Sequence, residues 1–150
     1  MQQSCGFQPF AMLACAILAL ALGGCARTDA EAAVRGRLGD LQAAIDARDA
    51  GDVQAVLAED FIGNDGIDRR GARQLAAAVF LRHRNVSARL GPIVVESRGE
   101  RDAVARFSVL ATGGTGALLP AQGQVYEVET GWRLVDDEWQ LLSASWSPAL

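Results

Sequence analysis

The chain of 150 residues has no lysine, one histidine, one tyrosine and three cysteines. Its 14 cationic side chains are all arginine, scattered from Arg27 to Arg133 without a basic run. Against 18 Asp and Glu they leave a net charge of −4, which argues against nucleic acid as a partner. A zinc site needs three or four His, Cys or carboxylate ligands held by one local frame. His83 stands alone, and the cysteines are committed elsewhere, so neither a metal nor another cofactor is expected. Asp60 to Asp65 also fails as a calcium loop: with Gly66 at position six, Phe61, Gly63 and Ala72 would fall on ligand positions. No apolar run reaches the roughly 20 residues of a bilayer span. Disorder is excluded by a hydrophobic content of 50%.

The charges that are present all lie between Arg27 and Glu138. Ahead of them Phe10 to Leu22 form 13 apolar residues in a row, the length of a signal-peptide hydrophobic region. Leu22-Gly23-Gly24-Cys25 closes that run and resembles the lipobox of bacterial lipoproteins. The resemblance implies cleavage before Cys25 and acylation, palmitate included, of its thiol and new amine. Cysteine is required because the thiolate is the nucleophile for lipid transfer. The residues Met1 to Pro9 depart from the pattern in carrying no Lys or Arg. The expected division is a signal peptide over 1–24, a lipidated tether over 25–27 and one domain over 28–150. Cys5 and Cys15 leave with the leader, so the mature chain holds no disulfide. Ala26 after the cysteine implies, by the family's sorting rule, an outer-membrane lipoprotein facing the periplasm. Its membrane partner is reached through the lipid, since several acyl chains make anchoring stable.

Thr28 and Glu31 have capping-box spacing. Val34, Leu38, Leu41 and Ile45 then mark one face of a helix. A second helix follows, with Asp52 as its expected cap and Val53, Val56 and Leu57 turned inward. Phe61-Ile62 starts an extended piece, and Gly63-Asn64-Asp65-Gly66 is a turn. Asp68 is placed to cap a third helix through Arg84, with Leu75, Val79 and Phe80 inward. From Asn85 the pattern becomes period two. Strands are expected at Ile93 to Val95, Ala103 to Val109, Tyr126 to Leu134 and Trp139 to Trp146. Gly113 to Gly116 and Pro120 fall in a loop, and Asp136-Asp137 turns the last hairpin. Helices followed by antiparallel strands give an α+β domain, helices on one sheet face.

Three segments in that order resemble the nuclear transport factor 2-like superfamily, which includes the SnoaL and ketosteroid-isomerase types. They are Ala58-Glu59-Asp60-Phe61, Gly66-Ile67-Asp68-Arg69-Arg70-Gly71, and the hairpin from Trp132-Arg133-Leu134 to Trp139-Gln140-Leu141-Leu142. The resemblance covers roughly residues 28–148. It implies a curved antiparallel sheet wrapped over helices as a cone with a pocket, and dimers through the outer sheet face. It does not fix a reaction, because the fold hosts enzymes and non-catalytic domains alike.

The pocket candidates are Phe61, Asp65, Phe80, His83, Tyr126 and Trp132. Isomerases of the superfamily pair an Asp base with a tyrosine-containing oxyanion hole, but Tyr126 has no acid at fixed spacing, and its parity with Val128 and Trp132 favours a core tyrosine. Asp65, Asp68, Arg69 and Arg73 offer an Asp–Arg–Asp set, against which stands Asp68 as a helix cap. His83 lies one turn beyond Val79, either facing the cone or closing the helix dipole. Glu127 and Glu129 share a sheet face with Arg133 and read as a solvated ladder. No catalytic residue is therefore assigned. Trp139 and Trp146 are seven apart, so a regular strand turns them to opposite faces unless a bulge intervenes. An outward Trp beside Leu141 would form an apolar interface patch, so Trp139, Leu141 and Trp146 are the interface candidates. The function expected is a non-catalytic module binding a small apolar ligand or an envelope partner. A small-molecule enzyme in the same cone and a structural envelope subunit with a collapsed cone are the alternatives.

Overall fold

The computed structural model describes residues 10–113 and 123–149, with side-chain surroundings from residue 29 onward. Cys5 and most of the Gly113-to-Pro120 loop lie outside the described residues. In chain order the elements are α1 (Phe10–Ala47), α2 (Ala50–Val56), β1 (Leu57–Ile62), a 3-10 turn at Asn64–Gly66 and α3 (Arg69–Arg82). Then follow β2 (Ser87–Leu90), β3 (Val94–Ser97), β4 (Asp102–Thr112), β5 (Gln124–Val135) and β6 (Glu138–Pro148). The α+β class is the one expected. Among the described residues no helix is long and apolar enough to cross a membrane.

Helix α1 runs unbroken through Thr28, so the helix does not start at the expected capping box. The Ala- and Leu-rich residues ahead of Thr28 are strong helix formers, and no proline interrupts them. The cap of α2 is Asp49 rather than Asp52: its side chain accepts from the backbone N–H of Gly51 and Asp52. Asp52 sits in the first turn, where a negative charge also suits the dipole. Asp68 caps α3 as the spacing requires, accepting from Gly71 N at 2.7 Å. An N-cap of this kind is worth about 1 kcal/mol.

The strands form one curved sheet in the order β1-β6-β5-β4-β2, with β3 also on β4. The sheet is mixed, not wholly antiparallel, because β1 joins its edge parallel to β6. The chain reaches that edge from α2, and its burial follows no strict alternation, which concealed the strand in the sequence. β2 was likewise hidden, since Ser-Ala-Arg-Leu carries no β-branched residue.

The concave face packs on α1 through Val34 and Leu38, both essentially inaccessible, with Ala105, Phe107, Trp132, Trp139 and Leu141 opposite. Each fully buried Leu or Val side chain contributes about 1.5–3 kcal/mol. Val53 and Phe80 join Ala44 in a second, smaller cluster between the helices. Along β5, Tyr126, Val128, Trp132 and Leu134 lie on the inward parity, and Glu127 and Glu129 are exposed on the other.

The pairing of β5 with β6 slips between Gly131 and Trp132: Gly131 faces Ser143, Trp132 faces Leu141, and Leu142 is the extra residue. This bulge resets the parity, so Trp139 and Trp146 both turn to the concave side although they are seven apart. Gly131 permits it, since a Cβ there would stand 2.6 Å from Ser143 Oγ. The interface expectation is corrected accordingly. Trp139 and Leu141 are core residues, 6% and 3% exposed, and neither contributes to an outer patch.

Candidate ligand-binding cavity

Between α1, α3 and the concave sheet face lies a cavity of about 460 Å³, within the usual range for small-molecule sites. Helix α1 contributes Leu38, Leu41, Gln42 and Ile45 at helical spacing, and α3 contributes Leu75 and Val79. The sheet adds the inward residues of four strands, among them Phe107, Val109, Tyr126, Val128, Leu141 and Trp146. Tyr126 thus stands in the wall together with Val128, its neighbour in strand parity. Trp146, 38% exposed, lines the cavity and pairs with the inward-parity Val128 across β5 and β6.

The side chains in the lining that carry polar atoms are Gln42, Tyr126, Thr130 and, through its indole N–H, Trp146. Thr130 is saturated as a donor: its hydroxyl donates to the Ala105 carbonyl at 3.1 Å and accepts from Trp132 Nε1 at 2.9 Å. Gln42 and Tyr126 make no side-chain hydrogen bond among the described residues. The lining holds no Asp, Glu, His or Arg among those residues.

A second cavity of about 340 Å³ adjoins the first and shares Leu41, Ile45, Leu75, Val79, Ala88 and Trp146 with it, together with Ala111. Phe61 and Phe80 line this second chamber and not the first. The side chains with polar atoms in its lining are Ser87 and, through its indole N–H, Trp146.

The remaining pocket candidates lie elsewhere. Trp132 is 1% exposed and sits beneath the sheet wall, with its indole N–H on Thr130. Asp65 is exposed on the 3-10 turn with φ 58°. His83 lines neither chamber. It is the C-cap of α3 with extended backbone, so the helical stripe from Val79 ends before reaching it. Its ring is buried, and Nδ1 has no hydrogen-bond partner among the described residues. The Asp–Arg–Asp set is dispersed: Asp68 caps its helix, Arg73 is exposed, and Arg69 holds Glu59 at 2.9 Å and the Leu57 carbonyl at 3.1 Å. Among the described residues no cluster has the composition of a metal site.

On the outer face Arg106 bridges Glu129 at 2.6 Å and Glu96 at 2.9 Å across three strands. The hydrogen bond to Glu129, and then that to Glu96, raises its pKa above the ordinary arginine value. Arg133 takes no part in this ladder and pairs with Asp60 at 3.0 Å. Sequence reasoning missed Gln42 altogether. Its place between Leu41 and Ile45, on the edge of the apolar stripe, was the available signal.

Neither a protein-family model nor a curated protein sequence matches the chain. Solved structures do. One is a nuclear transport factor 2-like protein of unknown function from Pseudomonas putida KT2440, 20% identical, with a TM-score of 0.68 over 80% of this chain and 87% of that one. Another is the hexachlorocyclohexane dehydrochlorinase LinA-type3 from Novosphingobium barchaimii LL02, 15% identical, with a TM-score of 0.69 over 85% and 91%. A third is a protein with a cystatin-like fold from Caulobacter vibrioides, 10% identical, with a TM-score of 0.67 over 80% and 89%. The domain therefore has the nuclear transport factor 2-like fold, a cone of curved sheet over helices, which serves ligand-binding and enzymatic domains alike.

Proposed function

We propose that the chain is a lipoprotein of the bacterial outer membrane, anchored through Cys25 and facing the periplasm, whose cone binds a small apolar ligand without transforming it. The observation that carries the binding role is the lining: a cavity of about 460 Å³ whose described walls are apolar apart from Gln42, Tyr126, Thr130 and the indole N–H of Trp146. Acid–base catalysis needs a group that exchanges a proton near the working pH, held within hydrogen-bond reach of the reacting atom. The described walls of the cavity offer no carboxylate, imidazole or guanidinium for that role. Apolar contact then supplies the affinity, and Gln42 and Tyr126, without a side-chain hydrogen bond among the described residues, orient the ligand. The anchoring rests on Leu22-Gly23-Gly24-Cys25 at the end of the apolar run.

An enzyme in the same cone is the second reading, favoured by the likeness in fold to a protein described as a dehydrochlorinase. A structural subunit with a collapsed cone is disfavoured by the open volume. A homodimer through the outer sheet face belongs to the proposal too. It is supported by the cross-strand neighbours Leu110 and Val125, 41% and 40% exposed on that face.

The experiment is incubation of the purified chain with apolar ketones, epoxides, lactones and chlorinated hydrocarbons, followed by binding and by product analysis. Binding with unchanged recovery supports the module. Turnover that Tyr126→Phe abolishes while the fold is intact makes it an enzyme. Absence of binding to every member overturns the ligand-binding role.

A further inference from the structure

The two chambers differ in kind, and the difference bears on what they hold. Gln42, Tyr126 and Thr130 all belong to the first chamber. The second, between α1, α2, α3 and the start of β2, is walled by Val53, Phe61, Phe80 and other apolar side chains, with the Ser87 hydroxyl and the Trp146 indole N–H the exceptions. The two meet along a common wall that includes Leu41, Ile45, Leu75 and Ala88. Together they make a two-lobed space in which Gln42, Tyr126 and Thr130 belong to one lobe, with the Trp146 indole common to both. A compact rigid molecule fills one chamber and leaves the other empty, whereas a flexible chain occupies both. Charge narrows the choice further. Neither described lining contains a cation or an anion, and burying an unpaired ionised group in such a place is strongly unfavourable. The amide of Gln42 both donates and accepts, as does the hydroxyl of Tyr126. That pair suits an uncharged hydroxyl, ester or ketone oxygen.

We propose that the natural occupant is a neutral single-chain amphiphile, with its oxygen-bearing head at Gln42 and Tyr126 and its hydrocarbon tail in the chamber lined by Phe61 and Phe80. The proposal rests on the ligand-binding role above and names its ligand class. Leu41, Ile45, Leu75 and Val79 then act as a sleeve around the middle of the chain. Tail length and head charge become the two determinants of specificity.

The test is a titration of the purified full chain, in detergent-free buffer, with straight-chain 1-alkanols from hexanol to hexadecanol. Tryptophan emission and native mass spectrometry follow binding. Each methylene that enters the chambers should tighten binding about fourfold, the equivalent of one buried CH₂, until the second chamber is full. Affinity should then level off. At matched length the alkanol should bind at least tenfold tighter than the alkanoate at neutral pH, and Gln42→Leu should reduce affinity for the alkanol. Ala76→Phe narrows only the second chamber, so it should bring the plateau to a shorter chain while leaving hexanol binding unchanged. Should that variant not fold, the length series on the parent decides alone. Binding with no dependence on chain length overturns the proposal, as does tighter binding of the alkanoate. If rigid bicyclic ketones bind and alkanols do not, the ligand class is wrong while the binding role stands. If neither binds, both fall.

Discussion

The side chain of Asn64 pairs with the backbone of Trp146 in both directions, donating Nδ2 to the Trp146 carbonyl at 2.7 Å and accepting from its N–H at 3.2 Å. One amide thus does what a strand residue would do on the open edge of β6, where β1 has ended at Ile62. The pairing fixes the backbone that carries the Trp146 ring into the wall of both chambers.

Asn64→Ala removes both bonds and leaves the Trp146 backbone to solvent. At about 1 kcal/mol for each bond, the variant should lose roughly 1–2 kcal/mol in urea denaturation. Its tryptophan emission should shift to the red before unfolding, because Trp146 becomes free to move. An unchanged emission spectrum would mean that the ring is held by packing and not by the amide.

Asp136 and Asp137 both have positive φ, 48° and 63°, so the β5–β6 hairpin closes with a two-residue turn of type I′. The hand matches the twist of the strands, and aspartate tolerates it better than most residues, but a Cβ in that region still costs about 1 kcal/mol. Asp137→Gly should raise stability by up to about 0.5 kcal/mol, the strain relieved less the entropy that glycine adds to the unfolded chain. A calorimetric melting temperature that falls would show that the Asp137 side chain makes a contact outweighing its strain.

The closing hairpin also shows which parts of this fold are legible in the sequence. The inward parity of Tyr126, Val128 and Trp132 is printed in the alternation, because the sheet has one wet face and one dry one. The order of Trp139 and Trp146 is not, because one extra residue at Leu142 reverses the alternation without any change in composition. Asp68 is legible as a cap, standing immediately before a helix with a clear stripe. Asp49 and Asp52 are not separable, since either lies within capping distance of a short helix and only the turn at Arg48, with φ 58°, decides. The parallel edge β1 depends on where α2 delivers the chain, which is a tertiary fact. The cavity is illegible for a related reason: its walls are the residues a solid core would use, and only the curvature of the sheet holds them apart.

Trp139 and Trp146 differ in burial, and their truncation should differ in kind. Trp139 is 6% exposed in the main core, so Trp139→Ala should cost about 3–5 kcal/mol, a large share of the 5–15 kcal/mol of a typical domain. Trp146→Ala should cost less, about 1–3 kcal/mol, because at 38% exposure the side chain buries less area, and should weaken ligand binding as well. Equal losses from both would contradict the placement of Trp146 at the chamber wall.

The anchoring proposal makes its own demand. Intact mass of the membrane fraction should show residues 1–24 absent and Cys25 acylated. Cys25→Ser should abolish both processing and lipid, since the hydroxyl is no substitute for the thiolate in that transfer. A mature chain that starts elsewhere, or carries a free thiol, would remove the membrane from the account and leave the cavity untouched.

Arginine is the cation used throughout this chain, and Arg37 shows what its fork achieves that lysine cannot. From α1 its Nε donates to the Trp139 carbonyl at 3.0 Å, and one terminal nitrogen meets Asp40 at 3.1 Å. The other terminal nitrogen reaches Glu138 at 3.3 Å and the Ala55 carbonyl at 3.4 Å. Three elements are joined by one planar group: α1, the end of α2 and the start of β6. A lysine ammonium keeps the charge but presents three donors from one point and lacks the donor at the Nε position. Arg37→Lys should therefore cost roughly 1–2 kcal/mol, the worth of one or two lost hydrogen bonds from a charged donor. The loss should persist in 1 M salt, where a purely ionic contribution would be screened within about 3 Å. A deficit that disappears in high salt would assign the role of Arg37 to its charge beside Asp40 and Glu138 and not to the carbonyls of Ala55 and Trp139.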